Sequence, residues 1–225
     1  CNNIHRCYYK QSMNKRILLF LFIIAQFLLS DHVITSAKNP ENYFKGKFYS
    51  SVKNNFLIAT KKMSDERFKK TVIAMLENDA EGAWGLVINK PLGKIPLALL
   101  IDPSINTSEE REALYKINLK VFWGGPVSVK KIFILHTNEY KSETTRNYGT
   151  ISISQDYNIL FDIAKKKGPK NSLIILGYSG WGSGQLEGEM EMDHWILSIL
   201  DTNIIFEKDS EKKWEKAFKN SFIKI

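Results

Sequence analysis

Cysteine is nearly absent. The 225-residue chain has two, Cys1 and Cys7, and both precede its first methionine, Met13. Read from Met13, the chain offers no thiolate nucleophile, no disulfide and no cysteine-based zinc site. Stability must then come from an apolar core, which about 185 residues suffice to build. Histidine is scarce too. Of four, only His136 and His194 lie beyond residue 37. Neither HxH nor HExxH spacing occurs, so no histidine zinc site is expected. Charge of one sign is not concentrated enough to suggest a polyanion partner. The formal charge is +8, of which residues 1–37 hold +3 and the remainder +5. No Arg-rich or aromatic-interleaved patch accompanies it, so the nucleic-acid signal is weak. What is present is ordinary for a folded chain: 44% hydrophobic and 25% charged residues, too apolar for disorder.

The N-terminus has a clear layout. From Met13 the sequence runs MNKRILLFLFIIAQFLLSDHVITSA. Lys15 and Arg16 form a basic start. Residues 17–29 are apolar apart from Gln26, and Thr35, Ser36 and Ala37 offer small residues for cleavage. That order is the layout of a secretory signal peptide. The apolar run is 13 residues, short of the ~20 that span a bilayer. An exported, periplasmic domain is therefore expected, with a membrane tether or a buried N-terminal helix as alternatives. Membrane contact is expected only through this leader, residues 1–37.

Beyond the leader, residues 38–225 contain no linker or repeat and read as one α+β domain. Strands are expected at 54–60, 71–78 and 83–89, the last two joined as a hairpin by the turn at 79–82. Pro91 should end the third strand. A short helix is expected at 95–101, and another at 106–116 with Thr107 or Ser108 as its cap. Strands follow at 120–123 and 132–136, then a polar loop at 137–148 and a strand at 150–154. Ser154 should cap a helix over 155–167. Strands at 172–177, 195–200 and 204–206 and a terminal helix from Ser210 complete the set.

Residues 177–195 read GYSGWGSGQLEGEMEMDHW. Four glycines precede four carboxylates, Glu187, Glu189, Glu191 and Asp193. A P-loop needs Lys where Ser183 stands. A dinucleotide fingerprint needs more chain downstream. A nucleophile elbow needs glycine where Trp181 stands, and His194 adjoins Asp193 too closely for a Ser-His-Asp triad. On a helix at 185–192, Leu186 and Met190 share an apolar face, and the carboxylates form a solvated acidic one. A divalent-cation site is the sharper alternative. Amides at the helix start can receive an anion. His136 could be a lone base or a hydrogen-bonded structural group, and the five tryptophans are expected to serve the core.

The segments NFLIAT at 55–60, ENDAEGAWGLVINKP at 77–91, GGPV at 124–127, FILH at 133–136 and GYSGWGSGQLEGE at 177–189 resemble the AlgH/YqgE family of bacterial proteins. The resemblance runs from about residue 46 to the C-terminus. It implies a compact α+β fold around a mixed β-sheet flanked by helices, and no established activity. Members are commonly described as transcriptional regulators, and most look cytoplasmic, which is a further alternative to export. Here no helix-turn-helix or basic recognition helix is visible. The chain also departs from the family pattern: Asn78 stands for the usual His, Lys61 for Pro, Trp84 for Met and Ser179 for Ala. Losing that His leaves Glu77 and Asp79 without the most plausible general base of a shared site.

A binding or regulatory protein without enzymatic activity is the expected function. Its ligand, a small molecule or a protein, is expected at the loops 79–82, 124–127 and 178–185. The residues expected to line that surface are Gly82, Gly124, Gly125, Gly180, Trp181, Gly182, Gly184, Gln185 and Glu187. No catalytic residue, metal or cofactor is expected. The alternatives are an enzyme at the same place, a hydrolase or phosphate-ester-binding activity, and a transcriptional regulator.

Overall fold

The computed structural model describes residues 52–221 apart from Pro103, Ile105 and Asn106. The leader expected at 1–37 lies outside the described residues. All described residues belong to one compact unit. Sheet dominates it, and the helices are few and short. Ten strands follow in chain order: β1 (Asn55–Ala59), β2 (Val72–Asp79), β3 (Gly82–Val87), β4 (Pro91–Pro96), β5 (Asn118–Trp123), β6 (Val127–Thr137), β7 (Arg146–Tyr148), β8 (Ile151–Ser154), β9 (Ser172–Gly182) and β10 (Trp195–Ile199). Their spatial order is β10-β1-β2-β3-β9-β6-β8-β7, with β5 beside β9 and β4 beside β5. All pairs are antiparallel except β5–β9. The β2–β3 hairpin forms where expected. Asp79 Oδ1 accepts from the amides of Glu81 and Gly82 and closes its turn.

Strand β9 holds the sheet together, and it corrects the reading of the glycine-rich stretch. The strand does not stop at Gly177. Its first half pairs with β5 and β6, and Ser179–Gly182 then pairs with β3. Gly177 has φ +71°, a left-handed conformation that costs an L-residue about 1–2 kcal/mol. It lets the strand bend and pass from one partner to the next, which curls the sheet. Residues 178–182 are therefore strand rather than corner.

Among the described residues, five α-helices pack on this sheet: α1 (Ser108–Tyr115), α2 (Asn158–Ala164), α3 (Gln185–Glu191), α4 (Thr202–Ile205) and α5 (Ser210–Lys219). Thr107 and Glu110 form a reciprocal capping box at the start of α1, as the Thr107 alternative anticipated. Four expectations fail. The helix expected over 155–167 is shorter, because the Ser154 hydroxyl is bonded to His136 and Thr145 and stays in β8. Residues 204–205 are helical and Phe206 is the C-cap, because Asp201 accepts from the Asn203 amide and starts α4. Pro91 begins β4 instead of ending a strand. Among the described residues that strand pairs only with β5, and an edge tolerates a residue without an N–H. The 95–101 segment splits between β4 and a 3-10 turn at Leu97–Leu99.

Alternation along β1–β3 supplies two apolar faces. One gathers Phe56, Ile58, Val72, Ala74, Leu76 and Leu86 under Ile204, Ile205 and Ala217 of the C-terminal helices. The other gathers Leu57, Ile73, Met75 and Val87 with Trp181, Trp195 and Leu186. A third cluster joins Val121, Ile134 and Ile174 to Leu114 of α1 and Ile159 and Leu160 of α2. Each buried Val, Leu, Ile, Phe or Met side chain among these stabilises the fold by roughly 1.5–3 kcal/mol. Lys213 of α5 is 0% exposed. Its Nζ donates to the Ile88 carbonyl at 2.9 Å and lies 5.0 Å from the Phe122 ring. Burial, then the charge of Lys120, pushes its pKa down to about 8, against the pull of Glu207.

Candidate functional site

The hairpin register decides what faces a cavity on one side of the sheet. Met75 pairs with Gly85, but Glu77 pairs with Trp84, so Leu76 is an extra residue on β2. Such a bulge re-aims the side chain that follows it. Without it, Glu77 would lie on the face of Ile73 and Met75. With it, Glu77 lies on the face of Leu76, directly across from Trp84. The Trp84 indole N–H donates to Glu77 Oε2 at 2.9 Å, and the Tyr148 hydroxyl donates to Oε1 at 3.4 Å.

Around this carboxylate the sheet carries an aromatic wall. Trp84 packs on Phe133, Tyr148 and Tyr178, with ring centroids at 5.8, 6.4 and 5.9 Å. Two of these contacts are edge-to-face, an arrangement favoured by the ring quadrupoles. The wall borders a cavity of about 970 Å³ whose lining comes from β2, β3, β6, β7, β8, β9 and the loop before β7. Asp79, Glu81 and Glu143 add negative charge to its walls, and Lys131 and Arg146 add positive charge. Lys131 Nζ sits 5.3 Å from the Phe133 ring centroid. Burial, then the Glu77 charge, raises the pKa of the Tyr148 hydroxyl, and Arg146 opposes that rise. The hydroxyl therefore stays protonated and remains a donor at neutral pH.

The nine residues expected at the site separate into three groups. Gly82, Gly180 and Trp181 line the cavity. Gly124 and Gly125 do not; they admit a close backbone crossing. A Cβ on Gly125 would meet the Tyr178 carbonyl at 2.2 Å, and one on Gly124 would meet the Gly177 oxygen at 2.2 Å. Gly182, Gly184, Gln185 and Glu187 belong to the entry into α3. Of the amides there that were expected to receive an anion, that of Gly182 is taken, because it donates to Gln185 Oε1 at 3.1 Å. Gly184 is the left-handed N-cap of α3, with φ +74°.

The acidic face expected on α3 is not uniformly solvated. Glu187 is 5% exposed. Glu189 Oε2 accepts from the indoles of Trp181 and Trp195 at 3.0 and 2.6 Å, and its Oε1 accepts from Gln185 at 3.1 Å. Glu191 is exposed, and Asp193 forms an exposed ion pair with Lys62 at 2.6 Å. Among the described residues, no group of three His, Cys, Asp or Glu is placed to hold a metal ion.

Sequence reasoning missed Trp84, Phe133, Tyr148, Tyr178, Lys131 and Arg146 as a group. Tyr178 and Trp84 lay within the quoted motifs, but their convergence depends on strand order. His136 proves to be a hydrogen-bonded structural group. It is buried, with Nδ1 2.9 Å from the Thr137 carbonyl oxygen and Nε2 2.9 Å from Ser154 Oγ. The Nδ1 proton on the carbonyl leaves Nε2 to accept from Ser154. Burial lowers its pKa and keeps it neutral. Asn78, on the opposite face of the hairpin from Glu77, is buried, and its Nδ2 has no partner among the described residues.

The sequence and the fold are similar to those of known proteins. The AlgH-like family profile matches residues 56–225. A UPF0301 protein of Methylococcus capsulatus is 33% identical over 175 residues, covering 77% of this chain and 93% of the relative. A UPF0301 protein of Pseudomonas fluorescens is 37% identical over 168 residues, covering 75% and 87%. The solution structure of the AlgH protein from Pseudomonas aeruginosa superposes with a TM-score of 0.63 at 33% identity, covering 76% of this chain and 89% of that one. A crystal structure of a Corynebacterium diphtheriae protein shares the fold at 13% identity, with a TM-score of 0.54. With the profile spanning most of the chain and relatives above 30% identity covering three quarters of it, this protein belongs to the AlgH-like family.

Proposed function

We propose that this AlgH-like domain is a non-enzymatic binding protein and that it receives a small molecule in the aromatic cavity. One observation carries the reading: a volume of about 970 Å³ bordered by Trp84, Phe133, Tyr148 and Tyr178, with the Glu77 carboxylate held in its wall. Small-molecule sites have this character, a concave apolar surface with a few oriented polar groups. Of the surface expected from the motifs, the 79–82 turn and residues 178–181 contribute to it. The alternative surface at the start of α3 has its Gly182 amide occupied by Gln185.

The test is a small-molecule screen on the full chain by thermal shift and tryptophan fluorescence, repeated on Trp84→Ala and Gly182→Val. Hits lost with Trp84→Ala and kept with Gly182→Val support the cavity. Hits with the opposite pattern move the site to the α3 entry. Absence of any hit at millimolar ligand counts against the binding reading.

We further infer export, on the basic, apolar and small-residue order of residues 13–37. A reporter fused after residue 45 that stays in the cytoplasm would refute it. Regulation by direct DNA binding is the competing reading. It requires association at near-physiological salt with a measurable salt slope.

A further inference from the structure

Resting on the cavity reading, we propose that its ligand is an organic cation: an ammonium carried on an aromatic or alkyl body, with the charge received by Glu77 against the aromatic wall.

The first support is the state of Glu77. Both of its oxygens are engaged, but by neutral donors, the Trp84 indole and the Tyr148 hydroxyl. Neutral donors orient a carboxylate without cancelling its charge. None of the ion pairs among the described residues includes Glu77. Arg146 lies beside the Tyr148 hydroxyl but makes no ion pair with Glu77, so this half-buried carboxylate borders the cavity among ring faces without a direct cationic partner.

The second support is the sign of the surroundings. The chain as a whole is +8. The cavity walls hold Glu77, Asp79, Glu81 and Glu143 against only Lys131 and Arg146. The local charge is thus opposite to that of the molecule. Glu77, Asp79 and Glu81 all come from the β2–β3 hairpin, so the acidic side has one address.

The third support is the behaviour of the wall itself. Lys131 already places its ammonium 5.3 Å from the Phe133 ring centroid, within the distance at which ring quadrupoles attract cations. Aromatic faces beside a carboxylate are the chemistry by which ammonium ligands are recognised: the faces replace water around a poorly hydrated cation, and the carboxylate supplies the charge.

Three probes sharing one ring test this on the full chain: benzyltrimethylammonium, benzyl alcohol and phenylacetate. Binding is read from the Trp84 indole N–H resonance, assigned with Trp84→Phe. The ammonium is expected to bind about tenfold more tightly than either other probe. Glu77→Gln, which keeps an oxygen for the Trp84 indole, is expected to shrink that preference to about twofold or less. If Glu77→Gln does not fold, the exposed pair Glu81→Gln with Glu143→Gln is expected to weaken the ammonium about twofold to threefold and leave benzyl alcohol unchanged. Tightest binding of phenylacetate, or an ammonium preference unchanged in Glu77→Gln, would overturn the cationic assignment while leaving the cavity as a binding site. If none of the three probes moves the Trp84 resonance, the cavity reading fails as well.

Discussion

Two carboxylates on opposite faces of the β3–β9 ribbon receive indole protons, and they do different things with them. Glu189 takes two indoles, from Trp181 and Trp195, and the amide of Gln185. Gln185 in turn accepts from Gly182. That cluster ties the end of β9 to α3 and to β10. Glu77 takes one indole at 2.9 Å and one hydroxyl at 3.4 Å, and borders open volume. The same donor chemistry locks a chain turn in one place and orients a charge in the other. The number of donors, and what lies on the remaining side, separates a carboxylate enclosed by its partners from one that borders open volume.

The comparison can be broken first at the backbone that supports both faces. Gly125→Ala should have the largest effect. Its Cβ would sit 2.2 Å from the Tyr178 carbonyl, at a φ of +148°, so a loss of more than about 4 kcal/mol, or failure to fold, is expected in urea denaturation. Next comes removal of each carboxylate. Glu189→Ala leaves three donors short of their acceptor and should cost about 2–4 kcal/mol, whereas Glu77→Ala should cost about 1 kcal/mol. Equal losses would erase the distinction between the two sites.

A smaller effect separates the sites by pH. Tyr148 has its pKa raised by folding, so folding favours the protonated hydroxyl. The stability this contributes is fully present below the ordinary tyrosine pKa and is lost as pH rises through the raised value. Tyr148→Phe should therefore flatten part of the decline in stability above about pH 10. Trp181→Phe, which removes an indole that does not titrate, should leave that slope unchanged. Comparing each variant with the parent is essential, because Tyr140 and Lys213 also titrate in alkali, with pKa values of about 12 and about 8. Smallest of all is Gly182→Ala. No atom lies within 4 Å of its Cβ, and the change should stay within about 0.5 kcal/mol. A large loss there would restore the glycine itself as a functional requirement.

Much of the fold was legible because local patterns carry it. The runs at 71–78 and 83–89 are apolar on both faces and joined by a turn with Asp at its start, and they form the expected hairpin. The Thr107 cap is readable because a capping box is a four-residue device. Two errors share a cause. β4 exists because β5 offers it an edge, and the second half of β9 because β3 pairs with it. In both, a neighbour supplied what the local residues left undecided; α4 differs, because its cap Asp201 is a local signal that the apolar run at 204–206 outweighed. Gly177 looked like a strand end because glycine usually interrupts a strand. Here it bends one.

The candidate site was less legible. The motif glycines were visible, yet Gly124 and Gly125 serve a backbone crossing and Gly184 a helix cap. Sequence by itself determined the family, the hairpin and the absence of thiol chemistry downstream of Met13, because those follow from residue identity and short spacings. Tertiary structure alone decided the face of Glu77 and the partners of Glu189. One extra residue at Leu76 sends Glu77 to the cavity side. Only packing brings Tyr148, 71 residues away, to its carboxylate. Side-chain direction alternates with a period of two, so a single bulge reverses it, and sequence spacing cannot specify which distant strand supplies the opposing wall.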